Sequence, residues 1–281
     1  SYWLNPALRL EPGLRLSHQH TANNADLVNV PGRDQTLQLN AEVHTRHTMT
    51  TVGLAKREAL TDFSAVRLAH MRRFESRLAT TVEYGRNQYA PETAALRVGG
   101  LKDELRVNAT YDLSKREYLS ISMASQRYMT QARTHAGDGT RIEAEIGYRI
   151  RTDYPNFTAR LSGVHHALSS TASTDGLAAR INPNGGVPAG SFFVPNSFSY
   201  FAAGIGFGEY LRRDYSRGIR PFADASLGYN TVTGSGYGAM LGLGGSLFGS
   251  DHLSVAYTRT HGGSGVNLTT EELGLRYQCY F

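Results

Sequence analysis

The chain has 281 residues, 40% of them hydrophobic, with Gly 30, Tyr 16, a single cysteine and a formal net charge of +5. No run approaches the roughly 18 apolar residues of a membrane-spanning helix, the best being FAAGIGF at 201–207, so a helical membrane protein is excluded; Cys279 alone can form neither an internal disulfide nor a cysteine-based metal cage. The pI near 9.3 does not mark a nucleic-acid binder, because Arg and Lys are scattered singly among Glu and Asp and the basic patch that counterion release needs is absent.

In chain order the sequence reads as strands with one apolar and one polar face, the period-two pattern of extended chain. The segments are 7–20, 34–46, 48–60, 63–74, 76–87, 93–101, 104–113, 116–129, 139–151, 156–168, 197–210, 218–230, 235–247, 251–261 and 269–281. In RIEAEIGYRIR, Ile142, Ala144, Ile146, Tyr148 and Ile150 oppose Arg141, Glu143, Glu145, Gly147, Arg149 and Arg151, a face too charged for a sandwich core. Fifteen is an odd number, whereas bacterial single-chain barrels are even. One strand is therefore merged or missed, at Pro12-Gly13 or inside 169–197, and sixteen strands are expected, wide enough for an aqueous pore unless plugged.

The connections come in two styles. LKDE (101–104), LSKRE (113–117), TDYPN (152–156) and FGSD (248–251) have tight-turn chemistry, whereas 21–34, 131–139, 262–269 and above all 169–197 are longer. Short turns on one rim and long loops on the other, with strands of roughly 10 to 14 residues, fit an all-β transmembrane antiparallel barrel better than a soluble sandwich, whose strands are about half as long. Tyr84, Tyr111, Tyr128, Tyr148, Tyr210, Tyr229 and Tyr257 stand near strand ends, where an interfacial girdle belongs. The outer membrane of a bacterium is the expected location.

Alternation assigns an inner face. It places Glu42, Glu83, Glu104, Asp112, Glu143, Glu145, Asp224 and Glu272 in the lumen, with Tyr118, Tyr128 and Tyr280 as further path residues. Arg77, Arg97, Arg106, Arg141, Arg149, Arg160 and Arg276 fall on the same side, so the lumen is of mixed charge. These charges either contact a passing polymer, which must bind weakly enough at each site to keep moving, or pair with one another to stiffen the wall. The long loop contains Gly185, Gly186, Phe192 and Phe193, and its apolar cluster needs somewhere to bury; it is expected to fold over the mouth and restrict the pore.

The chain ends on TTEELGLRYQCYF. Leu273, Leu275 and Tyr277 alternate up to a terminal Phe281 with no polar tail, which resembles the closing-strand signal read by the barrel assembly machinery. The opening SYWLNP has neither a basic n-region nor an apolar h-region, so the secretion signal is expected upstream and the chain to be a fragment. Two other readings were weighed. A rim-active hydrolase could use His165, His166 and Ser169-Ser170, but adjacent histidines point to opposite faces and no acidic orienter has suitable spacing. His18 and His20 could share a face, but two ligands do not make a metal site. No enzyme activity, cofactor or metal is expected, and a diffusion porin for small solutes is the main alternative.

The order of the whole chain, and especially residues 111–163 with the closing GLRYQCYF, resembles the C-terminal outer-membrane porin domain of the PelB family of Pel exopolysaccharide export proteins. The resemblance rests on overall pattern and not on a catalytic motif. It implies a sixteen-stranded barrel behind periplasmic tetratricopeptide repeats, a PelC-like lipoprotein ring at the periplasmic mouth, and a cationic amino-sugar exopolysaccharide as cargo. The expected partners are thus the polymer, outer-membrane lipid, the assembly machinery, the ring and the upstream repeats, with no nucleic acid.

Overall fold

Period-two alternation with no helical competitor leaves the backbone one way to satisfy its donors and acceptors in hydrocarbon, which is to close a sheet on itself. A computed structural model of the chain describes residues 8–20, 33–58, 62–90, 92–171, 193–212, 214–263, 265–267 and 269–280, without the side chains of 8–20, 33, 34, 94, 97, 98 and 280. Fourteen strands run β1 (Leu8–His20), β2 (Arg33–His44), β3 (Thr48–Glu58), β4 (Phe63–Arg73), β5 (Leu78–Gln88), β6 (Gly100–Asp112) and β7 (Glu117–Thr130). They continue as β8 (His135–Arg151), β9 (Phe157–Ser170), β10 (Phe198–Phe207), β11 (Arg220–Asn230), β12 (Gly234–Gly245), β13 (Asp251–His261) and β14 (Thr269–Tyr280). Each pairs antiparallel with its neighbours in sequence, and β1 pairs with β14 to complete a closed barrel.

The expected count of sixteen is corrected to fourteen among the described residues. One of the two surplus strands arose at 93–104. There, residues 94–99 form a short helix, α1 (Ala94–Gly99), capped by Thr93, and LKDE lies inside β6 and makes no turn. The register from Gly100↔Thr130 to Asp112↔Tyr118 runs through it unbroken. Near the rim both faces of a strand are polar, so composition no longer separates strand from turn: Asp103 accepts a bond from the Asn87 amide while Lys102 and Glu104 face inward. Pro12-Gly13 is likewise no turn, because β1 is continuous. At 131–139 the loop is shorter than expected, since β8 begins at His135.

Residues facing outward are large and apolar: Leu227 is 73% exposed and Leu241 66%, with Leu37, Leu54, Ile121, Ile146, Leu161 and Ile205 in the same band. A continuous band of this kind is tolerated only against lipid. Tyr84, Tyr111, Tyr148, Tyr229 and Tyr257 belong to it, but two expected girdle residues do not. Tyr128 is fully buried inside the barrel, and Tyr210 packs on an inner cluster of Leu211, Phe222 and Met240.

The connections at 45–47, 74–77, 113–116, 152–156 and 246–250 lie on one rim; the other carries the long ones at 21–32, 89–99, 171–197 and 262–268, together with short ones at 59–62, 131–134 and 231–233; by the rule for such barrels the first rim is periplasmic. One periplasmic connection breaks the rule. Between β10 and β11 the chain runs through a 3-10 turn, Glu209–Arg212, that tucks into the barrel against β11, β12 and β13.

The lumen as the candidate functional site

The inner wall is built so that side chains lie against it. A Cβ on Gly147 would come within 2.2 Å of the Tyr118 ring, and one on Gly228 within 2.4 Å of the Tyr200 hydroxyl; the rings occupy the space that glycine leaves. Cross-strand packing of aromatic on glycine flattens large side chains along the wall and leaves room in the middle.

Most of the expected lumen acids are paired with wall cations. Arg67 donates two bonds of 2.7 Å to Glu83, Arg149 bonds Asp112 at 2.8 Å, and Arg141 bonds Glu143 at 3.0 Å. Glu42 lies 3.2 Å from His44 and is almost fully buried. Glu272 faces inward by its pairing with Thr258. Tyr280 is placed by backbone register alone, opposite Arg9. Of the expected inner arginines, Arg77 sits in the 74–77 turn with positive φ and leaves the lumen for the rim. Arg97 is on α1 and its side chain is outside the described residues. Alternation failed at both because neither is on a strand.

Two clusters hold segments against the inner wall, one near each mouth. On the extracellular side Glu92, just before α1, bonds the inward-facing Lys102 at 3.0 Å, and Lys102 reaches Glu104 at 3.1 Å. Gln126 donates to Glu104 and accepts from His166 at 2.7 Å, and the Tyr128 hydroxyl lies 3.1 Å from Glu92. This network anchors the α1 segment to the inner wall. Beside it the Thr93 hydroxyl donates to the carbonyl of Phe193 at 2.7 Å, and Phe193 and Val194 are buried together with Ala95 and Leu96. Of the long loop, Phe193 and Val194 are thus held beside the α1 segment; Gly185, Gly186 and Phe192 lie outside the described residues.

On the periplasmic side the 3-10 turn is fixed by His252, whose Nε2 donates to the Leu211 carbonyl at 2.7 Å, and by Ser254, which donates to the Arg212 carbonyl at 3.2 Å. A Cβ at Gly244 would sit 2.3 Å from the Leu211 carbonyl oxygen. Arg160 gathers the acids there: Nη1 bonds Glu209 at 3.2 Å, Nη2 lies 2.5 Å from Asp224, and Nε is 3.8 Å from Glu145, which also accepts from Tyr118 at 2.7 Å. Burial first, and then the hydrogen bond shared with Asp224, push the Glu209 carboxyl up to about 7 against the opposing pull of Arg160. Sequence reasoning missed this turn. Its signal was the run of glycines on inward positions, Gly206, Gly242 and Gly244, where a wall facing water would carry side chains.

The hydrolase constellation comes apart. His166 is buried in the lumen network, whereas His165 points outward and lies 2.9 Å from Ser199. Among the described residues no further hydrogen bond orients that imidazole, so the pair lacks the third group of a triad. At the closing strand, Leu273 and Leu275 face lipid; Tyr277 pairs in register with Leu253, and Phe281 is outside the described residues.

A closed antiparallel barrel with a lipid-compatible outer band and a polar lumen defines an outer-membrane channel protein. The chain belongs to the family described as PelB, C-terminal beta barrel domain, whose model matches residues 2–280. Three solved structures are similar in fold. A bacterial polysaccharide outer membrane secretin has a TM-score of 0.65 at 11% identity, over 97% of this chain and 98% of that one. The CymD monoaromatic hydrocarbon channel has a TM-score of 0.53 at 11% identity, over 99% and 91%. The Ralstonia pickettii toluene transporter TbuX has a TM-score of 0.52 at 10% identity, over 99% and 92%. At these identities the likeness shows the fold alone. A search of curated proteins finds no match.

Proposed function

We propose that the barrel is the outer-membrane conduit for a secreted exopolysaccharide, a Pel-like cationic amino-sugar polymer, which crosses passively through a pore restricted by the chain's own segments. The observation that carries this reading is the pair of inward-folded plugs, α1 with Phe193–Val194 at one mouth and Glu209–Arg212 at the other, on either side of a polar wall. A diffusion porin for small solutes works with an open lumen. An exporter used intermittently needs the opposite, a wide barrel that stays shut without cargo. The paired charges support weak, repeated contact and do not form an acidic tunnel, because most of the wall carboxylates already have a cation beside them.

The partners follow in the same reading. Exposed Arg46, Arg77, Lys115, Arg116 and Arg217 crown the periplasmic rim, and Phe248 at a turn tip is 81% exposed. This surface suits a periplasmic ring such as a PelC-like lipoprotein, with tetratricopeptide repeats upstream and the assembly machinery reading Leu273, Leu275, Tyr277 and Phe281. Deletion of Ala172 to Pro188 tests the restriction. Single-channel conductance in planar bilayers should rise and cells should become sensitive to bulky antibiotics while the barrel still assembles. Wild-type conductance already matching an open porin of this width would instead favour small-solute diffusion.

A further inference from the structure

Between the two plugs the inner wall holds a polar crevice of about 220 Å³ on β6, β7 and β8, lined by Arg106, Asn108, Ser120, Ser122, Glu143 and Glu145. We infer that it is a pyranose-binding subsite on the export path, recognising the hydroxyl groups of one sugar ring; this rests on the conduit reading above and deepens it.

Its chemistry is that of sugar recognition. Asn108 and Ser120 are already bonded to each other at 3.0 Å, and Thr110 bonds both, so the amide and hydroxyl on the floor are held in fixed orientation before any ligand arrives. Glu143 accepts a bond from Arg141 at 3.0 Å and Glu145 one from Tyr118. A carboxylate offers about four acceptor positions, so each keeps capacity for a hydroxyl donor. Two carboxylates in a row along β8, two residues apart and therefore on the same face, present acceptors to vicinal hydroxyls. Arg106, held by Glu104 at 3.0 Å, supplies the donor at the upper edge. Small residues make the space: Ser120 and Ser122 on β7 stand between the carboxylates of β8 and Asn108 of β6.

Position matters as much as composition. The crevice lies below the Lys102–Glu104 network that anchors α1 and beside the Tyr118–Glu145 pair that leads to Arg160 and the periplasmic turn. A ring leaving one plug meets it before the other. Because the floor is side-chain amide and hydroxyl and the two carboxylates are each engaged by a donor, hydroxyl recognition and not net charge sets the selectivity.

The test uses probes of two sugar rings. Saturation-transfer NMR on the barrel in deuterated detergent, with cellobiose and its diamino counterpart as probes, should show transfer to ring protons from both sugars. Ser122→Leu, which fills the crevice, should weaken both about tenfold or more, and Glu143→Gln should weaken both by a smaller factor, because the amide keeps an acceptor oxygen where the carboxylate stood. Heat-modifiable mobility confirms that each variant is folded. Equal transfer in wild type and Ser122→Leu overturns the subsite, and so does binding of the diamino sugar alone, which would mark plain charge attraction. Polymer display by cells carrying the same changes in the whole protein keeps the two readings apart. If display survives removal of the barrel, the conduit reading fails whatever the NMR shows; if display needs the barrel but Ser122→Leu binds and displays as wild type, only the subsite fails.

Discussion

The Tyr118 ring lies flat over Gly147 on the neighbouring strand, in the space where a Cβ would come within 2.2 Å of it, and its hydroxyl reaches Glu145 at 2.7 Å. Gly147→Ala forces the ring off the wall, breaks that bond and pushes an aromatic into the lumen. Overpacking of this kind costs about 1–3 kcal/mol. The thermal midpoint of the heat-modifiable band should fall, and Tyr118→Ser in the same chain should recover most of the loss, since the two changes share one contact. Additive losses in the double variant would show that Gly147 is needed for some other reason.

His252→Ala removes the donor that holds the Leu211 carbonyl inside the lumen. With Ser254→Ala added, both side-chain ties from β13 to the periplasmic turn are gone. Mean conductance and the frequency of open events should rise several-fold while the barrel still runs as a heat-modifiable monomer. Unchanged conductance would place the periplasmic restriction elsewhere.

The Glu209 carboxyl keeps its proton up to about pH 7 when docked, whereas a solvated glutamate releases it near 4.3. The docked state therefore binds the proton more tightly, so the contribution of this group to docking is greatest below the solvated value and declines as pH rises through about 7. Open probability should climb between pH 5 and pH 8. Glu209→Gln, which mimics the protonated form, should flatten the profile at its low-pH level; a profile unaltered by the substitution would assign the titration to another group.

Removal of Phe281 should reduce assembly in vivo far more than Leu241→Val, although both residues are apolar. Leu241 is an outward lipid contact, and a conservative change there costs little. A charged residue at that position behaves differently, since Arg on the lipid face of a barrel costs about 2–4 kcal/mol near the midplane. Assembly yields measured in intact cells for Phe281 deletion, Leu241→Val and Leu241→Arg should fall in the first and third cases only. Equal yields for the Phe281 deletion and Leu241→Val would reduce the terminal aromatic to one more lipid contact.

The alternation in RIEAEIGYRIR was enough to place Glu143, Glu145, Arg141 and Arg149 in the lumen and Ile142, Ile146 and Ile150 against lipid, because strand geometry ties a residue's face to its parity and nothing distant is needed to read it. The barrel, its membrane, its short and long rims and the inward acids followed from that local rule. Strand number did not, since residues 101–104 lie at the extracellular end of β6, and near a rim polar side chains are equally at home in a strand and in a turn. The plugs were beyond local reading for another reason. Thr93 meets Phe193, and His252 meets the Leu211 carbonyl. Such contacts join segments far apart in sequence, have no period, and are formed only after the wall has closed around them. Sequence by itself therefore determined which faces meet lipid and water; the closed tertiary structure decided how many strands share the ring and which segments fill it.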